Sequence, residues 1–258
     1  MLFVKPFWKL KMEKTERINA DVENREIVIA ALVGSHNYNL ATKNSDKDYK
    51  YFVTPTFDDL YEGRVFSTSK QTEMFDYSVH DIRQLGNLMW KANINFLEVL
   101  FSKELTVDPV LTPLFENRES LAMMNLPGFA NSTYGTYKSK MSNLFKGTEK
   151  TKSLVERFGY DTKEACHALR CLLTLERLEK YNSFGDAIWF DESDRWWKIL
   201  IDLKSGCYSL EEFYKIVEWK EPSVEKAKLW CYSKGRDNLL RDWLDLEIKN
   251  FVGNSLCQ

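Results

Sequence analysis

A chain of 258 residues with 44% hydrophobic and 14% aromatic content can bury a substantial core, as one large domain or two ordinary ones. Its formal net charge of −2 excludes a global polyelectrolyte field, so nucleic acid or an anionic surface would have to be met by a local patch. No run approaches the roughly 18 apolar residues of a membrane span.

The N-terminal stretch MLFVKPFWKLKMEK has neither the apolar region nor the small-residue cleavage site of a signal peptide. The five cysteines (Cys166, Cys171, Cys207, Cys231, Cys257) form no CxxC pair, which argues against a disulfide framework or a zinc knuckle and fits a reducing compartment. These features lead us to expect a cytoplasmic protein with no membrane partner.

In chain order, Lys11 to Val22 has the spacing of a short amphipathic helix. The apolar run Ile27 to Val33 is too short for a helix and ends abruptly at Gly34, so it reads as a buried strand. Asp48 to Val53 reads as a second strand, stopped by Thr54-Pro55, and Glu73 to Val79 as a third. Side chains alternate along a strand, so Asp46, Asp48, Lys50 and Phe52 share one face, and Met74, Asp76 and Ser78 share another. The opposite faces carry Tyr49, Tyr51 and Val53, and Phe75, Tyr77 and Val79. These aromatic and branched faces are expected to pack on helices, leaving the acids on a more open side.

Beyond residue 80 the pattern is helical. The expected helices are His80 to Phe101; Leu111 to Met124, ended by Leu126-Pro127-Gly128; and Phe129 to Phe145, stopped near Gly147. Asp161 with Glu164 resembles a capping box for a helix to about Tyr181, and Ser209 with Glu212 repeats the device. A final helix is expected from about Val224 to Lys249. The expected class is therefore α+β: a small mixed β-sheet domain with helices on one face, over 1–110, followed by an all-helical half over 111–258 that closes a cleft.

The chemistry lies in VGSHNYNLATKNSDKDYKYFV, residues 33 to 53. A turn starting at Gly34-Ser35 would offer unpaired N–H groups, close approach at Gly34 and a hydroxyl at Ser35, which together suit a phosphate. Two carboxylates two residues apart on a strand face, Asp46 and Asp48, repel each other unless a cation joins them. Mg²⁺ takes a few carboxylates together with substrate phosphate oxygens. A third acid on a neighbouring strand would allow two metals, and Asp76 lies on the correct face for that role, with Asp81, Asp58 and Asp59 as nearby alternatives. Asp58-Asp59 also suits a cap for the segment leading to Leu60 and Tyr61. His36 could approach a substrate or simply occupy a solvated turn, and His80 borders a helix.

Gly34-Ser35, a spacer, then Ser45-Asp46-Lys47-Asp48 resembles the signature of the DNA polymerase beta-like nucleotidyltransferase superfamily. Tyr38-x-Leu40-x-Thr42, SDKDYK, KANINFLEVLF (Lys91 to Phe101) and FGYDTKEACHALRCLLTLERL (Phe158 to Leu178) are similar to its RNA repair pathway nucleotidyltransferases, across roughly residues 27 to 180. The chain departs from that pattern at Lys47, where a hydrophobic residue is usual, and at Ala92 and Ile94, which replace a Gly and a Pro.

The resemblance implies a nucleotidyltransferase that uses Mg²⁺ or Mn²⁺ to move an NMP from an NTP such as ATP onto an acceptor hydroxyl, an RNA 3′ end (tRNA included) being favoured. Asp46, Asp48 and Asp76 would be the catalytic and metal-binding residues, with Gly34, Ser35, Ser45, Lys163, His167 and Arg170 on the nucleotide. The alternatives are nucleotide transfer to a protein side chain (AMPylation) and an inactive relative that only binds nucleotide or RNA.

Helical spacing independently puts Lys163, His167, Arg170, Thr174 and Arg177 on one polar, mostly cationic stripe. Spacing alone favours a solvated face; the resemblance favours a phosphate clamp at Lys163, His167 and Arg170. Lys138, Lys140 and Lys146 with Tyr134, Tyr137 and Phe145 could hold single-stranded RNA, but read more simply as a solvated helix with buried aromatics. The tryptophans of the C-terminal half read as helix-packing residues, and the cysteines as buried and inert.

Overall fold

The apolar run IVIAALV forms an interior strand of the sheet, consistent with an apolar sequence covered on both faces. In the computed structural model, which describes residues 22–43, 45–71 and 75–256, this strand β1 (Ile27–Val33) is buried along nearly its whole length. The helix expected before Val22 lies outside the described residues. β2 (Lys47–Val53) follows, then the short helix α1 (Phe57–Tyr61), β3 (Ser67–Gln71), β4 (Phe75–Asp81), α2 (Leu85–Trp90), α3 (Ile94–Leu97) and β5 (Leu105–Val107). The remainder is helical: α4 (Thr112–Glu116), α5 (Arg118–Met123), α6 (Leu126–Asn143), α7 (Lys152–Phe158), α8 (Thr162–Tyr181), α9 (Phe184–Ile188), α10 (Arg195–Lys204), α11 (Leu210–Lys234) and α12 (Asn238–Ser255). The fold is α+β, a mixed sheet followed by a helical C-terminal half.

The sheet order is β3-β4-β2-β1-β5, with β2 and β4 parallel and the other neighbours antiparallel. The parallel register sets Asp48 directly beside Asp76, and β1 sets Val33 beside Asp48. All three therefore stand at one end of the sheet, next to the turn at Gly34.

The alternation of faces is as the sequence predicts, but the helices lie on the opposite side from the one expected. Tyr49, Tyr51, Val53, Tyr77 and Val79 form a small cluster with Val22 and Leu32. The large core, which includes residues from α2 through α12, packs instead on the face of Ile29, Ala31, Val33 and Phe52. Hydroxyl-bearing tyrosines make a poor floor for a leucine-rich helix, whereas Phe52 and the aliphatic residues of β1 make a good one. The acids thus lie on the helix side, at the end where the helices leave a cavity.

Several other elements differ from expectation. The segment His80 to Phe101 is not one helix: His80 belongs to β4, and the chain breaks after α2, where Ala92 takes φ 50° and Asn93 caps α3. Leu111 to Met124 is divided at Asn117. Leu126-Pro127-Gly128 starts α6 rather than ending its predecessor, because Pro in the first helical turn lacks only an N–H that would be unpaired there anyway. The expected strand Glu73 to Val79 is seen as β4 from Phe75 on, Glu73 and Met74 lying outside the described residues, and β3 had no counterpart in the sequence reading; its exposed STSKQ shows no apolar period. α11 runs straight through Pro222 and ends at Gly235, so the last helix begins at Asn238 rather than Val224. Both capping signals hold: Asp161 accepts from the N–H groups of Lys163 and Glu164, and Ser209 and Glu212 form a reciprocal box.

Among the described residues, no helix is long and apolar enough to cross a membrane.

Candidate active site

A cavity of about 450 Å³ opens between the Gly34 end of the sheet and helix α8. Its wall brings together all nine residues singled out in the sequence: Gly34, Ser35, Ser45, Asp46, Asp48, Asp76, Lys163, His167 and Arg170. The acids come from β2, the residue before it, and β4; the cations come from the first three turns of α8. The cavity therefore has an acidic floor and a cationic roof.

Gly34 adopts φ +72°, a conformation that costs any other residue energy, and a Cβ built on it would lie 2.5 Å from Asp48 Oδ2. The glycine thus lets the turn close down on the carboxylate. Its N–H is not unpaired as expected, for it donates to Glu98 Oε2 at 2.8 Å. Glu98 is buried, and that burial pushes its pKa up, with Arg170 and then Lys50 opposing. Asn37 also donates to the Glu98 carbonyl at 3.3 Å, so this carboxylate anchors the turn from beneath. Sequence reasoning missed Glu98 even though the stretch containing it carries part of the family resemblance. A lone glutamate among Phe96, Leu97, Val99 and Leu100 was the available signal.

Ser45 is committed as well. Its hydroxyl accepts from the Thr42 N–H at 2.9 Å and from Lys204 Nζ at 3.1 Å, while Lys204 also reaches the Leu40 carbonyl at 3.0 Å. Ser45 braces the loop before β2, and Lys204, at the end of α10, is a cavity cation that the sequence pattern did not mark. The His36 ring nitrogen lies 3.1 Å from the Ser45 carbonyl and serves the same loop.

The acids are unequal. The Asp46 side chain is 55% exposed, that of Asp76 only 21%, and Asp76 Oδ1 is buried with no hydrogen-bond partner. Burial raises the pKa of Asp48, and the neighbouring Asp76 and then Asp46 raise it further. Two alternatives to Asp76 are engaged elsewhere, Asp59 with Arg25 at 2.7 Å and Asp81 with Arg83, and the third, Asp58, is exposed on α1 and does not line the cavity.

A cation already touches this cluster. Lys150 Nζ donates to Asp76 Oδ2 at 2.9 Å and lies 3.5 Å from Asp46 Oδ2. Among the described residues, no three acidic, histidine or cysteine side chains converge into a ready-made metal cage. In chemistry, however, the donor set fits a small hard cation: carboxylates from adjacent strands, one with an orphaned buried oxygen, and already attracting an ammonium.

On the roof, Arg170 is buried with its guanidinium 3.9 Å above the Tyr38 ring, and its Nε and Nη1 have no partner. Arg170 lines the cavity, where a guanidinium is suited to bidentate anion binding. His167 is open to the cavity but crowded by protein on its other sides. That desolvation, followed by Arg170, Lys140, Lys204 and Lys163, holds its pKa well below the ordinary histidine value. His167 is therefore neutral near pH 7. The remainder of the stripe does not reach the cavity: Thr174 is buried and donates to the Arg170 carbonyl at 2.9 Å, and Arg177 binds the carbonyls of Ala187 at 3.2 Å and Asp186 at 3.0 Å.

Lys140, on α6, is paired with Glu164 at 2.8 Å, and Tyr134 and Tyr137 pack against the core. Cys166, Cys171 and Cys231 are buried, whereas Cys207 is exposed, against expectation.

A second, shallower hollow of about 380 Å³ shares Asp48, Gln71 and Asp76 with the first and continues past Lys50, Ser69 and Ser78. The acids stand where the two spaces meet.

A family model for the RNA repair pathway DNA polymerase beta family matches residues 9–186. The chain belongs to that family. It is thus a polymerase beta-like nucleotidyltransferase of RNA repair, and the match spans the whole sheet together with α8. No curated protein matches the chain.

Proposed function

We propose that this nucleotidyltransferase uses Mg²⁺ or Mn²⁺ to transfer an NMP from an NTP to a hydroxyl at an RNA 3′ end, tRNA included. The observation that carries the reading is the single cavity in which three carboxylates face Lys163, Arg170 and Lys204. Acids alone would repel a triphosphate, and cations alone would hold it without making it reactive.

Asp46, Asp48 and Asp76 are the residues that would hold divalent cations. When bound, these ions neutralise phosphate charge and lower the pKa of an attacking hydroxyl. The turn at Gly34-Ser35 receives the β- and γ-phosphates, Gly34 through its lack of a side chain and Ser35 through its hydroxyl. Lys163 and Arg170 supply positive charge to the triphosphate, and neutral His167 a hydrogen bond. Ser45 contributes indirectly, by fixing the loop that carries Asp46.

The acceptor enters from the second hollow. Its oxygen attacks the α-phosphorus, the bond from the α-phosphorus to the bridging oxygen breaks, and pyrophosphate leaves on the Arg170 side. The proton passes to Asp76, a residue that lines both spaces. Catalysis is then mostly positioning and electrostatics, as in phosphoryl transfer generally.

Incubation with each α-labelled NTP, Mg²⁺ or Mn²⁺ and a total-RNA pool tests the acceptor. Label in RNA, released on removing the 3′-terminal nucleotide, supports the proposal. Label in protein would replace it with protein nucleotidylation. Metal-dependent nucleotide binding without turnover on either acceptor would replace it with a binding role.

A further inference from the structure

Lys150 sits in the connection between α6 and α7, in a turn closed by two threonines. The Thr148 N–H donates to Thr151 Oγ1 at 2.8 Å, and the N–H groups of Thr151 and Lys152 donate back to the Thr148 carbonyl at 2.9 and 2.7 Å. The Leu144 carbonyl, just before the turn, accepts from the Asp161 N–H at 2.7 Å, which ties the connection to the start of α8. The turn is thus fixed on the helical half, and Lys150 crosses the cavity from it to the acids on the sheet.

Two features separate this contact from an ordinary surface ion pair. Lys150 touches two of the three carboxylates, and among the described residues the inner oxygen of Asp76 still has no partner, so the cluster has room for a further positive charge. The contact is also half exposed on the lysine side, and exposed lysine–carboxylate pairs are weak, so a better cation can displace it. Lysine suits such a role because its ammonium is a compact, hydrated point charge on a flexible stem, closer to a hard metal ion than a planar guanidinium is.

We propose that Lys150 is a resident counter-cation of the acid cluster, holding Asp46 and Asp76 together in the free enzyme and giving way to the divalent cation. The inference rests on reading Asp46, Asp48 and Asp76 as metal ligands. Lys150 acts through those acids and is a positioning residue. Once displaced, its ammonium remains on the cavity wall beside Thr148, Thr151 and Lys163, where it adds a charge for the incoming triphosphate.

The test is Mn²⁺ binding to the full chain without nucleotide, followed by the loss of the free-ion electron paramagnetic resonance signal. The forms compared are wild type, Lys150→Met, Lys150→Arg and Asp48→Asn/Asp76→Asn. Removing a competing unit charge at contact distance should tighten Mn²⁺ binding by about tenfold in Lys150→Met. Lys150→Arg should stay near wild type, and the acid variant should bind no Mn²⁺. Without metal, Lys150→Met should also melt below wild type, with saturating Mn²⁺ closing the gap. If Lys150→Met binds Mn²⁺ no more tightly than wild type while the acid variant has lost binding, the role of Lys150 is overturned and the metal site stands. If no form binds Mn²⁺, or the acid variant binds as wild type does, both are overturned.

Discussion

Two backbone positions with positive φ lead to opposite expectations. At Gly34, replacement by Ala adds conformational strain of about 1 kcal/mol and drives a methyl group into the Asp48 carboxylate. Gly34→Ala should lower the urea midpoint modestly and reduce nucleotidyl transfer by at least about 100-fold. At Ala92, an L-residue already sits at φ 50° between α2 and α3. Ala92→Gly relieves that strain and should be neutral or stabilising by up to about 1 kcal/mol in the same urea titration, even though it removes a buried methyl. Read alone, the sequence marked both sites, Gly34 as a turn and Ala92 as a departure from the family's glycine. It could not show that Gly34 exists for the sake of Asp48, because that contact joins residues from different strands. Lys150 was hidden for the same reason, its partners lying dozens of residues away, while Glu98 was marked only by its apolar neighbours.

At the scale of elements, α8 carries the cationic roof, and its register is set by its cap. Asp161 is buried and accepts from two N–H groups of the first turn. Asp161→Ala should cost about 1–2 kcal/mol of stability and weaken nucleotide binding as well, since Lys163 lies in that first turn. This helix was legible in full because capping chemistry and apolar period agree over 20 residues. The segment after β4 was not, because its apolar residues run on through a break made by a single positive-φ residue at Ala92.

β4 adds a dependence on pH. His80 packs between Phe52, at a tilt, and Phe96, edge to face, and burial, with a smaller push from Lys50, lowers its pKa from the ordinary 6.5 to about 4. As pH falls through this window the unfolded chain takes up a proton that the folded chain refuses, so stability is complete above 6.5 and declines toward 4. Between pH 7 and pH 5, wild type should lose on the order of 1 kcal/mol more than His80→Phe, as read from urea midpoints at the two values. An equal loss in both would show that His80 is protonated as readily in the fold as outside it.

For the molecule as a whole, division of labour is the main point. One hydrophobic cluster includes β1 and Phe52 of β2 as well as α6, α8, α11 and α12, and it sets the sheet's acids against the helical cations. The class and the acidic side of the cavity could be read from local periods, whereas the cationic side needed the family resemblance, since helical spacing alone favoured a solvated face for α8. The side of the sheet that the helices cover could not be read, because grouping tyrosine with the aromatic and branched residues overlooked the hydroxyls by which packing separates it from phenylalanine. Stacking the helices on the Phe52 face makes the acids part of an enclosed cavity rather than an open surface.

The central claim is that Asp46 and Asp48 enable transfer without being needed for the fold. Both stand at the cavity, and burial, then repulsion from Asp76, disfavours the charged form of Asp48, a cost that a bound cation would relieve. The most direct test compares α-labelled NTP incorporation by wild type and by the double variant Asp46→Asn/Asp48→Asn, with thermal melting run on the same samples. The expected result is incorporation by wild type alone, at least about 1,000-fold above the variant, with the variant melting at or above the wild-type temperature without metal. Incorporation by the double variant at the wild-type rate would contradict the account.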